Sequence, residues 1–220
     1  MPHFLNKYRK IILAIFPFIV FLILRSVGFD GLYGQDGYEY LRYSKDLVSF
    51  IKTNELPKPF SWPVLYPISG AIIYTIIQEM GLALQLISIL AWSGVTIYLH
   101  ATLKLLFPKK STSFFFIFLC FLLSPMVLRM GVVVMSDMLA TCFIVMSCFY
   151  ALRYGQRINT KDLYLFSFFS ISSMLTRYAS FIALVPFFLY VAFFLLKNKK
   201  QWIHILPLMI LLGGLCIPHF

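Results

Sequence analysis

Two acidic residues stand three apart in the stretch Gly34-Gln35-Asp36-Gly37-Tyr38-Glu39-Tyr40-Leu41-Arg42-Tyr43. The glycines read as a turn leading into a short helix, and a spacing of three puts Asp36 and Glu39 on one face of it. They follow an apolar run directly, next to the membrane surface, where a lipid-borne substrate would present its head group. The same spacing resembles a capping box, in which both residues serve only to satisfy free backbone donors. Ser136-Asp137 carries a similar double reading, as the N-cap of a helix or as the wall of an active site. Arg177, in Thr176-Arg177-Tyr178 between two apolar runs, either snorkels toward water or holds an anion. Lys58-Pro59-Phe60-Ser61-Trp62-Pro63-Val64-Leu65-Tyr66-Pro67 joins the acidic stretch to the next apolar segment, and its prolines and aromatics also suit an anchor at the membrane interface.

The elements that must position these residues are membrane helices. Of 220 residues, 60% are hydrophobic and 12% charged, whereas soluble domains average roughly 25% charged. Mean hydropathy is +0.85. An ordinary soluble globule, a disordered chain and a disulfide-stapled secreted module are all excluded. The apolar content allows roughly six to eight spans at about 20 residues each. The net charge of +11 does not indicate nucleic acid, because the basic residues sit in short clusters between apolar runs, as the positive-inside rule produces. Cys120, Cys142, Cys148 and Cys216 lie inside apolar runs without CxxC spacing and read as small buried residues.

Seven runs are expected to span: Ile11 to Phe29, Leu82 to Leu103, Thr112 to Leu128, Val132 to Leu152, Leu163 to Thr176, Ala179 to Leu196 and Ile203 to His219. The first could be cut as a signal peptide at Ser26-Val27-Gly28, but Arg25 beside that site favours an uncleaved span. Pro63 to Ile77 decides the topology. If it does not cross, the clusters Lys7/Arg9/Lys10, Lys104/Lys109/Lys110, Arg153/Arg157/Lys161 and Lys197/Lys199/Lys200 share one side. It is therefore expected to be an interfacial helix on the outer surface. Residues 1–10 then form a cytoplasmic N-terminus, 30–80 an outer loop with this interfacial helix, and 82–219 the remaining spans. That assignment also sorts the acids: Asp30, Asp36, Glu39, Asp46, Glu55, Glu79 and Asp137 fall outside, and Asp162 alone inside.

An N-terminal span, an acidic DGYxY-like outer stretch, a W-P-x-x-Y-P segment, an S-D turn opening a span and a T-R turn before a Pro-containing apolar run together resemble the GT-C superfamily. These are integral-membrane glycosyltransferases that include the protein O-mannosyltransferases and the lipid A sugar transferases. The resemblance implies an all-α membrane fold of about seven transmembrane helices plus the interfacial helix, in the plasma (inner) membrane with the site on the outer face. It implies a polyprenyl-phosphate sugar donor and a glycan, lipid or protein acceptor, with no nucleic acid. It makes Asp36 the catalytic carboxylate of the first outer loop and sets Glu39, Asp137 and Arg177 around it. A glycine follows Asp36 where many relatives have a second acid, and Tyr178 stands where a proline is common. Superfamily members carry further spans, so a chain ending at Phe220 just after an apolar run is expected to be the N-terminal portion of a longer enzyme.

Displacement at a sugar anomeric carbon needs a general base, an anion holder and a water-poor pocket. Asp36 is the expected base. Arg177, Arg42 or Lys58 would neutralise the leaving phosphate, and Glu39 and Asp137 would hold sugar hydroxyls or a divalent cation. Two other readings stand beside this one. A transporter or lipid flippase would place ionisable groups near the bilayer midplane, and a noncatalytic membrane assembly subunit would use the acidic loop for docking.

Overall fold

The computed structural model describes residues 2–108, 117, 120 and 124–197, and the helices among them are named here in chain order. They are α1 (Pro2–Ser26), α2 (Gly34–Thr53), α3 (Leu65–Ile77), α4 (Met80–Leu106), α5 (Pro125–Val132), α6 (Asp137–Arg157), α7 (Thr160–Thr176) and α8 (Ser180–Lys197). Of the seven runs expected to span, three form helices long and apolar enough to cross a membrane, namely α4, α6 and α8. The apolar part of α1, Ile11–Ser26, is shorter. α7 has 17 residues, and buried Ser167, Ser170, Ser172, Ser173 and Thr176 lower its hydropathy. The run 203–219 and nearly all of 112–123 lie outside the described residues.

Helix directions follow from side-chain contacts. α1 and α4 are antiparallel, with Arg25 Nη2 3.1 Å from Glu79 Oε2 at one end and Ser93 Oγ 2.8 Å from the Ala14 carbonyl further along. α4 and α6 run parallel, since Ser88 Oγ approaches the Met135 carbonyl at 3.4 Å and the Tyr98 and Tyr150 hydroxyls meet at 3.3 Å. α7 returns antiparallel to α6, through Ser173 Oγ on the Ala140 carbonyl at 3.2 Å and Arg153 on Asp162 at 3.2 Å. α8 runs parallel to α6, with Val191 and Leu195 in one cluster with Ala151 and Tyr154.

Pro17 lies inside α1. Lacking an N–H, it leaves the Leu13 carbonyl without its intrahelical donor. The Thr96 hydroxyl of α4 stands 2.9 Å from that carbonyl and 2.8 Å from the carbonyl of Ser93 in its own helix. A hydroxyl on the neighbouring helix thus fills the gap left by the proline, as membrane helices require.

The chain leaves α1 and enters α4 at the same end of the bundle, so α2 and α3 make no net crossing. α2 mixes charges and apolar residues, and its buried positions Gly37, Tyr40 and Ser44 mark the inward face. α3 is short for a span, at 13 residues, or about 20 Å at 1.5 Å per residue. It packs on the first turns of α4: Tyr66 donates to the Leu84 carbonyl at 3.0 Å, and Gly70 lies against Leu84. The loop before α2 turns through Gly31, with φ +81°, where a Cβ would sit 2.6 Å from Gln85 Nε2. Only glycine meets both demands.

Val132 was expected to open a span, yet α5 ends there and residues 133–136 are non-helical before α6 begins at Asp137. The reason is tertiary pairing. Val134 N donates to the Gly31 carbonyl at 2.8 Å, and Gln85 Nε2 donates to the Val132 carbonyl at 2.8 Å. These partners replace helical hydrogen bonds and bring the Ser136-Asp137 turn over α2.

Candidate active site

Tyr40, on the buried face of α2, is the centre of the site. Its hydroxyl lies 2.8 Å from Ser136 Oγ at the mouth of α6. Its ring packs edge-on against Tyr66 at 5.0 Å between centroids, tilted against Trp62 at 5.5 Å and edge-on against Phe60 at 5.9 Å. Phe60 also stacks on Tyr43 at 4.1 Å. The aromatics of the Lys58-to-Pro67 segment therefore fasten the loop onto α2. The two tyrosines reach deeper: Tyr66 Oη meets Ser88 Oγ at 3.0 Å. Burial pushes the Tyr40 phenol above its ordinary value; the Ser136 hydrogen bond and the Arg177 charge lower it, and Asp137 and Asp36 raise it. Burial raises Tyr66 as well. Both remain neutral hydroxyls at physiological pH.

The geometry around Tyr40 brings expected residues near one another. Asp36 lies one turn before Tyr40 on α2, and Asp137 follows the Ser136 that meets the Tyr40 hydroxyl and pairs with Arg177 of the turn after α7. Asp137 and Arg177 form an ion pair through Oδ1 and Nη1. Asp36 is exposed in the first turn of α2, where the helix dipole favours a negative charge.

Neither capping alternative is realised. α2 has Tyr33 as its N-cap, with no side-chain cap hydrogen bond. Asp36 is three residues further in, so the pair Asp36/Glu39 does not form a capping box. Ser136 occupies the N-cap position of α6 but makes no side-chain cap. Its hydroxyl is turned to Tyr40, and Asp137 to Arg177.

Arg42 is committed: it donates to Glu39 at 2.8 Å and Asp46 at 2.9 Å, and reaches the Pro59 carbonyl at 3.3 Å. Glu39 is thereby an internal partner on α2, and Asp46, to which no role was given, shares the same arginine. Lys58 is exposed in the loop one residue before that carbonyl. Glu39 and Asp137, expected to hold sugar hydroxyls or a cation, each pair with an arginine. Among the described residues no three His, Cys, Asp or Glu side chains stand close enough to hold a metal ion. Tyr40 was missed. The signal for it was the run Tyr38-Glu39-Tyr40, whose alternate tyrosines face opposite ways on a helix, Tyr38 exposed and Tyr40 buried.

The bundle has two unlike ends. Asp30, Asp36, Glu39, Asp46, Glu79 and Asp137 gather at the end where α1 finishes and α4 and α6 begin. Lys104, Arg153, Arg157, Lys161 and Lys197 gather at the other, where Asp162, 1% exposed, is the acid paired to Arg153.

The model of the dolichyl-phosphate-mannose-protein mannosyltransferase family matches residues 61–219, well over half the chain. The match includes Trp62, Tyr66, Ser136, Asp137 and Arg177; Asp36, Glu39, Arg42 and Lys58 precede it. No curated protein and no solved structure matches the chain. With apolar helices long enough to cross a membrane and a family match over most of its length, the chain belongs to the dolichyl-phosphate-mannose-protein mannosyltransferase family, membrane glycosyltransferases of the GT-C superfamily.

Proposed function

We propose that this protein transfers a sugar from a polyprenyl-phosphate donor to an acceptor hydroxyl, at a site on the outer face of the plasma (inner) membrane. The observation that carries the reading is the Asp137–Arg177 ion pair beside the Ser136–Tyr40 hydrogen bond, with Asp36 one turn before Tyr40 on α2, at the acidic end of the bundle. In a bundle of this polarity the basic end faces the cytoplasm.

In the reaction the acceptor oxygen attacks the anomeric carbon while the bond from that carbon to the lipid-phosphate oxygen breaks. The acceptor proton passes to the Asp36 carboxylate, and the electron pair leaves on the phosphate. One displacement inverts the anomeric centre, so one base suffices. The Asp137–Arg177 pair offers an acceptor and donor edge for sugar hydroxyls, and the neutral Tyr40 and Ser136 hydroxyls hold the two helix mouths together beneath them.

Transport is the weaker reading. A transporter concentrates ionisable groups at the membrane midplane, whereas the described carboxylates lie at the ends of the bundle.

The test supplies membranes holding the protein with each donor class separately. Sugar should pass from the polyprenyl-phosphate donor and not from a nucleotide sugar once polyprenyl-phosphate sugar synthesis is blocked. Transfer from the nucleotide sugar under that block would overturn the proposal.

A further inference from the structure

At the acidic end the arginines are unequal. Arg25 is paired with Glu79, Arg42 with Glu39 and Asp46, and Arg177 with Asp137. Arg129 on α5 differs: among the described residues it forms no ion pair with a carboxylate. Its guanidinium lies over the Tyr33 ring, 4.6 Å from the centroid. Stacking of this kind occupies the face of the guanidinium and leaves its N–H edges available, in a fork suited to a phosphate.

Arg129 and Tyr33 line a cleft of about 340 Å³ whose other walls are apolar: Leu24, Phe29, Leu128, Val132 and Val133. Leu24 lies near the end of α1, directly after exposed Leu22 and Ile23. Gln85, fully buried, fixes the far wall by donating to the Val132 carbonyl. The cleft therefore combines an apolar trough next to a lipid-facing helix with one uncompensated cation at its rim. That is the charge and polarity pattern of an isoprenoid monophosphate, with a branched hydrocarbon chain and an anionic end.

We propose that this cleft seats the isoprenoid phosphate of the donor, with Arg129 as the cation that binds its phosphate. The assignment rests on the transferase reading above and replaces Arg42, Lys58 and Arg177 in this role. The placement suits the reaction, because Tyr33 is the N-cap of α2 and Asp36 follows within its first turn. Arg129 would hold the phosphate both when the donor binds and as the leaving group gains charge.

The experiment measures binding of farnesyl monophosphate and of farnesol to the purified chain in detergent, and sugar transfer from a polyprenyl-phosphate donor in parallel. The native protein should prefer the phosphate over the alcohol by about tenfold to a hundredfold, the range for a hydrogen bond to a charged group. Arg129→Gln should erase that preference and leave farnesol affinity unchanged, and Arg129→Lys should restore part of it. A merely structural role would weaken both ligands alike. If Arg129→Gln keeps the phosphate preference while the native protein transfers sugar, this inference falls and the transferase reading stands. Equal displacement of farnesyl phosphate by phosphatidylglycerol also overturns it, because the cleft would then be a general phospholipid site. No transfer and no phosphate preference in the native protein would remove both readings together.

Discussion

Asp36 and Glu39 have the same chemistry and one turn between them, yet the fold gives them opposite employment. Glu39 faces Arg42 on its own helix, while Asp36 forms no ion pair among the described residues and stands at the open mouth of α2. Since Asp36 is not an N-cap, the asparagine that would serve a cap equally well should fail here. Asp36→Asn is expected to lower the transfer rate per mole of inserted protein by about 10² to 10⁴, the usual loss for a general base, with insertion unchanged. Retention of more than about a tenth of the native rate would remove Asp36 from the role. Glu39→Gln and Asp46→Asn are the controls. Each loosens an ion pair that is about a third exposed, a kind of contact worth roughly 0–1 kcal/mol, so turnover should stay near normal.

At the scale of the helices, the packing of α1 against α4 contains its own test. Thr96→Val removes the hydroxyl beside the Leu13 carbonyl, and an unsatisfied buried acceptor costs about 1–3 kcal/mol. Pro17→Ala restores an N–H to that carbonyl. In a double-mutant cycle followed by thermal unfolding in detergent, Thr96→Val should therefore cost less when Pro17 is already alanine. Equal cost in both backgrounds would mean that the threonine does not answer the proline. This relation could not be read from the sequence, because nothing in the chain links positions 13 and 96 before the helices are packed. The same limit explains the break at 133–136. Its residues Val133-Val134-Met135 look like the start of a span, and only the partners Gly31, Gln85 and Tyr40 hold them outside a helix. The apolar runs did locate α4 and α8 to within three residues and α6 to within five, because burial in lipid is a property of composition. The residues of the acidic loop were legible by type, but not their pairing: that Arg42 meets two carboxylates on its own helix shows only once α2 is formed.

Among the described residues charge is unevenly distributed along the helix axes, and the expected side of the membrane rests on that distribution. Lys104, Arg153, Arg157, Lys161 and Lys197 fall at the helix ends where α4, α6 and α8 finish and α7 starts, and the carboxylates of α2, Glu79 and Asp137, with arginines paired among them, fall at the opposite end. The distribution was legible in sequence because insertion acts on Lys and Arg clusters near span ends, largely without regard to acids. The gathering of acids at the far end is not explained by insertion and so points to a use. The arrangement expected from both is an α2–α3 hairpin at the outer surface with neither helix crossing. To test it, native cysteines would be replaced and single cysteines placed at exposed Ser49 on α2 and exposed Gln156 near the end of α6. A membrane-impermeant thiol reagent added to intact cells should label position 49, while position 156 should react only after permeabilisation. α2 and the end of α6 would react from the same side only if α2 or α3 crossed the membrane, and that outcome would move Asp36 away from Asp137 and Arg177, undoing the site. Labelling in the reverse order would keep the site intact but put it on the cytoplasmic face, where soluble nucleotide sugars are accessible, and the argument for a lipid-borne donor would lose its support from orientation.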